Sequence, residues 1–312
     1  MLTHRTATKR RCWHMDFDSF LVSLYVLTED WWKSTHDASD TPRMGRPSLI
    51  SDPEVLTLAI LAQWPRFRSE RDFHRFAFTH LREHFPTLPS QKSQFNRRVR
   101  ALEAEMKALS LHLEGTLAEP SAVYHVLDTT LIPAVVRVRA CRRGLFAGQA
   151  TFGRSASKTE WVYGFKVGLS VTPEGVITAF CLAEASADER PIGETLIHSD
   201  RHAAYLADKG FTSVGWERHW LLEYGALVAA TPKDNSKRAW DAAGRLWAAG
   251  KRQIVEGVIS QLKDRFFLER HRAKSLEGLL ARLAAKIAAY TCGQCLNSQL
   301  GRPLRRLADL LI

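Results

Sequence analysis

The chain has 312 residues, 45% of them hydrophobic, enough for one large domain or two ordinary ones. No run of about 18 uncharged apolar residues occurs, which argues against a membrane span, and the basic first residues lack the apolar stretch of a secretory signal. With 44 Lys and Arg against 33 Asp and Glu, the net charge of +11 favours a polyanionic partner.

Residues 1–14 are polar and basic and read as a disordered tail, or as translation from a start upstream of the usual one. A helical period begins at Met15, with Phe17, Phe20, Leu21, Leu24 and Tyr25 at three- and four-residue spacing. The polar stretch 33–50, with its GRP tripeptide at 45–47, reads as a linker. Ser51 and Glu54 then fit a capping box, Pro53 suits the first turn, and Leu56, Ile60 and Trp64 continue on one face. Helices are expected over about 70–81 and, as one long element, about 92–113. The long one has the stripe Phe95, Val99, Leu102, Met106, Leu109 and Leu113, with Lys92, Arg97, Arg98 and Arg100 away from it. From Arg66 to Arg100 there are nine Lys/Arg against three Asp/Glu. A basic helix start can enter a major groove, which makes Arg97 and Arg98 candidate DNA contacts. The link REHFPTLPS is longer than a usual helix-turn-helix turn, and a solvated charged face is the plain alternative.

The pattern changes at Pro120. Strands are expected over 123–130, 162–171 and 176–182, the last two joined by the turn TPEG. A helix at about 193–207 leads to YLADKGF, where a short strand ends in Asp208. A helix at 216–224 leads to the strand ALVAAT, and from Lys251 the chain reads helical almost to its end, with a break near Ala273. This order predicts an α+β (mixed α/β) fold, a mixed sheet with helices against it. The cysteines Cys12, Cys141, Cys181, Cys292 and Cys295 are odd in number and scattered, which suits a reducing cytosol. Cys292 and Cys295, spaced C-x-x-C, read as buried thiols.

Asp128 follows the apolar Val126 and Leu127, where an ionised carboxylate is expensive unless compensated. Alone it reads as a turn or cap residue. Asp208 repeats the situation, and Gly210 permits a sharp exit after it. Glu256 lies on a helix whose stripe is Val255, Val258, Ile259, Leu262 and Phe266, with Arg252, Glu256 and Lys263 within about 40° of one another on its shoulder. Its plain reading is an i, i+4 salt bridge of about 0.3–0.5 kcal/mol. Two acids at strand ends and one on a late helix suit metal-assisted phosphoryl transfer. Hard cations such as Mg²⁺, with Mn²⁺ as a substitute, take carboxylate oxygens. Two ions about 3.5–4 Å apart activate the attacking oxygen and stabilise the leaving one. The rival acids Asp188 and Asp200 read as loop and helix surface.

These residues resemble insertion-sequence transposases of the DDE class, over Met15 to the C-terminus. LDTT carries Asp128; Asp208-Lys209-Gly210-Phe211 matches a D-K-G-aromatic motif; and Arg252, Glu256 and Lys263 match Y-x2-R-x3-E-x6-K, with Ala249 at the tyrosine position. SASKTEWVYGFKVGL and ERHRAKSLEGLLARLAAKIAAY look like one branch of these enzymes. The resemblance implies an RNase H-like catalytic domain, here 119–312, after a helical DNA-end-binding domain, here 15–118. It implies that Asp128, Asp208 and Glu256 bind metal and catalyse strand hydrolysis and 3′-hydroxyl transfer. The implied partner is double-stranded DNA, as terminal inverted repeats and as target. A homodimer or higher oligomer on DNA is expected, in the cytoplasm at the nucleoid, with no membrane attachment.

The DNA path would follow the basic segments. After the first strand, Arg137, Arg139, Arg142, Arg143, Arg154 and Lys158 occur without an acid, among glycines that read as a loop able to close on phosphates. Residues 251–286 hold nine Lys/Arg against four Asp/Glu. Arg252 and Lys263 are placed to hold scissile-strand phosphates, with Lys166, Arg270, Arg272 and Lys274 as further contacts. The rival functions are a catalytically inactive DNA-binding derivative and a structure-selective nuclease of the same fold.

Overall fold

The computed structural model of the chain describes residues 15–36, 49–64, 67, 69–119, 122–135, 144–155, 160–232 and 240–311. The tail 1–14, the tripeptide 45–47, and Arg137, Arg139, Arg142, Arg143 and Lys158 lie outside the described residues. Helices come first: α1 (Phe17–Thr35), α2 (Asp52–Leu61), α3 (Glu70–His80), α4 (Lys92–Ala101) and α5 (Glu103–Leu117). Strands β1 (His125–Pro133), β2 (Thr151–Ser155), β3 (Glu160–Val171) and β4 (Ile177–Glu184) follow. Then α6 (Glu189–Asp200), β5 (Ala204–Ala207), α7 (Val214–Tyr224) and β6 (Leu227–Ala230) lead to α8 (Ala242–Asp264) and α9 (Leu276–Gln299).

The helix starts follow local chemistry. At α2 the Glu54 N–H donates to Ser51 Oγ at 3.4 Å while the Ser51 N–H donates to Glu54 Oε2 at 2.7 Å, the expected capping box. The single helix expected over 92–113 is two helices that meet at Leu102. There the backbone (φ −100°, ψ 20°) departs from helical geometry, and the Leu102 N–H is shared between Arg98 O at 3.1 Å and Val99 O at 3.3 Å. Leu102 is buried, and the bend lets α4 pack on α2 and α3 while α5 runs along α9. The apolar stripe passes through the bend unbroken, so periodicity does not reveal it.

The sheet is mixed, in the order β2-β3-β1-β5-β6, with β4 also paired to β3. β3 lies antiparallel to β1, and β5 and β6 run parallel to β1. Alternation along β1 sends Leu127 toward α6 and α7, into a core with Ile192, Leu196, Tyr205, Phe211 and Trp220. Val126 points the other way, into the larger core with Val255, Val258, Leu283 and Ile287 of α8 and α9. That larger core also takes Phe20, Leu24, Leu58, Met106 and Leu109, so the first helices and the sheet are packed through α9. Cys292 and Cys295 are buried free thiols of α9.

Several expected boundaries move. β1 runs on to Pro133, so Asp128 lies within the strand and not at its end. The helix expected over 193–207 starts at Glu189, capped by Asp188, and stops at Asp200, where Arg201 takes a left-handed conformation (φ 56°); 204–207 is strand β5. A short apolar run carries no period long enough to separate helix from strand. α8 begins at Ala242 instead of Lys251 because Asp241 caps it, accepting from the Gly244 N–H at 2.7 Å.

Asp200 corrects a further expectation. It is not on the helix surface but has a side chain 4% exposed, bonded to His125 Nδ1 at 2.7 Å and accepting from Ser170 Oγ at 2.7 Å. Burial alone would raise its pKa, yet the bonds from His125 and Ser170 and the His125 charge hold it below the ordinary carboxylate value. Its contribution to stability is therefore present above the unfolded carboxylate pKa and is lost as pH falls through the depressed folded value. Asp200→Ala leaves His125 and Ser170 without their partner and is expected to cost about 2 kcal/mol. Thermal unfolding at neutral pH should show Tm lower by roughly 4–8 °C, with the deficit shrinking in acid.

Candidate active site

The register of two parallel strands builds the centre of the site. His125, Val126 and Leu127 of β1 lie opposite Tyr205, Leu206 and Ala207 of β5. The next residue in each segment is an aspartate, Asp128 still within β1 and Asp208 just past the end of β5, at the point where the strands part. β1 continues on β3, with Asp128 opposite Leu169, and the chain after Asp208 winds into a 3₁₀ turn over Lys209–Phe211. Phe211 is fully buried and anchors that turn. α8 crosses β1 with Val255, Val258 and Leu262 fully buried, which leaves Glu256 at the rim with its side chain 60% exposed.

One open cavity of about 1240 Å³ is lined by all three acids and by Lys166, Arg252, Lys263, Arg270 and Arg272. Its cations are partly committed. Arg252 places Nη1 3.0 Å from Asp208 Oδ1 and Nη2 3.9 Å from Glu256 Oε1, and its Nε is buried with no hydrogen-bond partner among the described residues. Lys263 Nζ lies 2.8 Å from Glu269 Oε1, and Lys166 Nζ donates to Ala187 O at 2.7 Å. Arg97 and Arg98 of α4 and the exposed Lys274 are not among the residues lining this cavity; Arg97 is exposed and Arg98 is ion-paired with Asp52.

Sequence reasoning missed two residues here. His271 accepts from the Ala273 N–H on Nδ1 at 3.0 Å, so its proton sits on Nε2, which faces Pro133 O at 3.0 Å. Burial pushes its pKa down to about 4, so the ring is neutral and ties the 270–272 segment to the end of β1. Glu189 was hidden in SADERP, read as a loop; as the first residue of α6 it lines the cavity and accepts from Thr129 Oγ1 at 3.0 Å. The signal available was Asp188 as a helix cap.

Asp128 lines the cavity, largely enclosed by protein but still partly exposed to it. Burial pushes its pKa up to about 7; the Thr129 N–H at 2.7 Å and Arg252 oppose this, while the charges of Asp208 and Glu189 add to it. The donors are carboxylate oxygens, the chemistry a hard divalent cation takes, and the Arg252 guanidinium stands in as the cation beside Asp208 and Glu256. As they are placed, no three His, Cys, Asp or Glu side chains among the described residues are grouped to hold an ion. The donor set thus fits a metal by its chemistry, with Arg252 in the way of its assembly.

The sequence model of the family described as Transposase DDE domain matches residues 118–276, just over half of the chain. No curated protein and no solved structure matches the chain.

Because the folded-state pKa of Asp128 lies above the ordinary carboxylate value of 3.8, its ionisation costs stability progressively as pH rises between the two values, and the full cost applies above about 7. Asp128→Asn keeps an acceptor for Thr129 and removes the charge. It is expected to stabilise the chain at pH 8 by on the order of 2 kcal/mol, allowing for cavity water, and by less at pH 5. Thermal unfolding at the two pH values checks this.

Proposed function

The chain belongs to the transposase DDE-domain family, and we propose that it binds the ends of an insertion sequence, cuts a strand there and joins the freed 3′-hydroxyl to target DNA. The observation that carries this is the β1–β5 register, which sets Asp128 and Asp208 side by side, with Glu256 on the same cavity. Strands β1, β2 and β4 paired antiparallel to β3, followed by β5 and β6 running parallel to β1, with helices on both faces of the one sheet, support an RNase H-like catalytic domain.

DDE transposase domains generally use divalent metal ions. In this chain Asp128, Asp208 and Glu256 would hold Mg²⁺, with Mn²⁺ as a substitute and two ions in all; when bound, the metal polarises phosphate oxygens and lowers the pKa of water. The chain's own groups do the rest. Arg252, once parted from Asp208, has a free guanidinium edge for a scissile-strand phosphate, and its unpartnered Nε supports that second use. Arg270 and Arg272 line the cavity and are exposed to a backbone lying in it, with Lys166 and Lys263 deeper and Lys274 beyond. Water oxygen bonds to phosphorus as the bond to the 3′ oxygen breaks, leaving a 3′-hydroxyl and a 5′-phosphate. The 3′-hydroxyl then attacks a target phosphodiester and displaces the target's 3′ oxygen, so each step forms one P–O bond and breaks another without an enzyme-bound intermediate.

The helical segment 15–118 is the part assigned to end recognition. Supporting this, a concavity of about 310 Å³ on α3 and the start of α4 is lined by Arg71, Arg75, Lys92, Thr79 and Ser90 and by no acid. Arg97, farther along α4, is exposed, whereas Arg98 is held by Asp52. Assembly as a dimer or higher oligomer on DNA belongs to the same proposal. Among the described residues no helix is long and apolar enough to cross a membrane.

The test is single-turnover cleavage and joining with DNA from either side of the gene, where this reading expects short inverted repeats. Asp128→Asn, Asp208→Asn and Glu256→Gln should each slow cleavage by at least about 1000-fold while the proteins stay folded, and Arg252→Ala by about 100-fold through misplaced phosphate. Cutting without joining, or cutting of DNA lacking the repeats, would replace the transposase reading with a structure-selective nuclease.

A further inference from the structure

Glu189 has an ordinary reason to stand where it does, since an acid in the first turn of a helix meets the positive end of its dipole. Its contacts go beyond that. Its Oε1 accepts from Thr129 Oγ1 at 3.0 Å, and the N–H of the same threonine donates to Asp128 Oδ1 at 2.7 Å. On its other side, a Cβ built on Gly210 would fall 1.5 Å from Glu189 Oε2, so the carboxylate rests on the bare Cα of the turn that follows Asp208. Lys166 Nζ, 3.9 Å from Oε1, adds a cation that is itself fixed to Ala187 O. One carboxylate therefore touches the residue after Asp128 and the residue two after Asp208. It also supplies a physical reason for glycine in the Asp208-Lys209-Gly210-Phe211 turn: any side chain there would displace it.

From this geometry we infer that Glu189 is a positioning residue for the reaction, which braces the β1 edge against the Asp208 turn and so sets the spacing of Asp128 and Asp208. The inference rests on the proposed reading of those two aspartates as metal-holding acids. It differs from a fold-stabilising role in what it predicts. The part of Glu189 that matters is an oxygen able to accept from Thr129 and to fill the space over Gly210. Glutamine supplies both without the charge; alanine supplies neither.

The test uses the full chain in four variants: Glu189→Gln, Glu189→Ala, Gly210→Ala, and Glu189→Ala with Gly210→Ala. Each is measured by thermal unfolding, by Mn²⁺ affinity in calorimetry, and by single-turnover cleavage of inverted-repeat DNA. Glu189→Ala is expected to unfold within a few degrees of the wild type, bind Mn²⁺ about 10-fold more weakly, and cut about 100-fold more slowly. Glu189→Gln should regain most of both losses. Gly210→Ala should impair the wild-type chain, because its Cβ collides with the carboxylate, and should add little to Glu189→Ala, where the collision is gone. Wild-type affinity and rate in Glu189→Ala would overturn the inference. So would Glu189→Gln as impaired as Glu189→Ala, which would make the charge the operative feature, or full additivity of the Gly210 and Glu189 changes. A wild-type chain that neither binds Mn²⁺ nor cuts would overturn the reading of the aspartates, and the inference with it.

Discussion

Burial pushes the proton affinity of Asp128 upward and the charges of Asp208 and Glu189 add to it, while the Thr129 N–H and the Arg252 cation oppose it. Negative charge crowded at one edge of a sheet is expensive, more so where protein displaces water from around it. Arg252 lies 3.0 Å from Asp208 and 3.9 Å from Glu256, and its own side chain is only 15% exposed. That position depends on α8, because Val255, Val258 and Leu262 fix the helix on the sheet and leave the shoulder bearing Arg252 and Glu256 over the acids. Without a cation at that place the Asp208 and Glu189 charges would act on Asp128 with only the Thr129 N–H to oppose them. A site of this kind is therefore built to receive positive charge, which the arginine provides in part and a divalent ion would provide in full.

The two cores make that crowding tolerable. Leu127 on one face of β1 and Val126 on the other are both fully buried, so the strand cannot slip by one residue without exposing one core and burying polar groups in the other. The register that sets Asp128 beside Asp208 is thereby fixed by apolar packing that takes no part in the chemistry. Asp200, His125 and Ser170 reinforce it from inside, linking α6, β1 and β3 at the level just before the acids. On the far side α9 joins the sheet to the N-terminal helices, with Arg282 Nε donating to Glu70 Oε1 at 2.7 Å and Asn96 donating to the other oxygen of the same carboxylate.

Much of this was legible in the sequence, and the reasons are physical. The capping box at Ser51 and the apolar stripe of α8 are local patterns whose period survives folding. Asp128, Asp208 and Glu256 stood out because each interrupts or borders an apolar run, and the structure sets all three on one cavity. What escaped depends on contacts between distant segments. Asp200 looked like helix surface because nothing in HSDRH announces His125, seventy-five residues earlier, as its partner. Glu189 was lost because SADERP reads as a polar loop, so the helix start that Asp188 caps was set several residues too late. Arg252 and Lys263 were legible as cations but not as partners of Asp208 and Glu269, since side-chain pairing across elements leaves no period in the sequence.

Diffraction from crystals of the chain soaked in Mn²⁺, collected where manganese scatters anomalously, tests the central claim most directly. The expected result is an anomalous peak between the carboxylates of Asp128 and Asp208, with Glu256 drawn toward it and Arg252 withdrawn from Asp208. A cavity without anomalous density at saturating Mn²⁺, with Arg252 still bonded to Asp208, would contradict it.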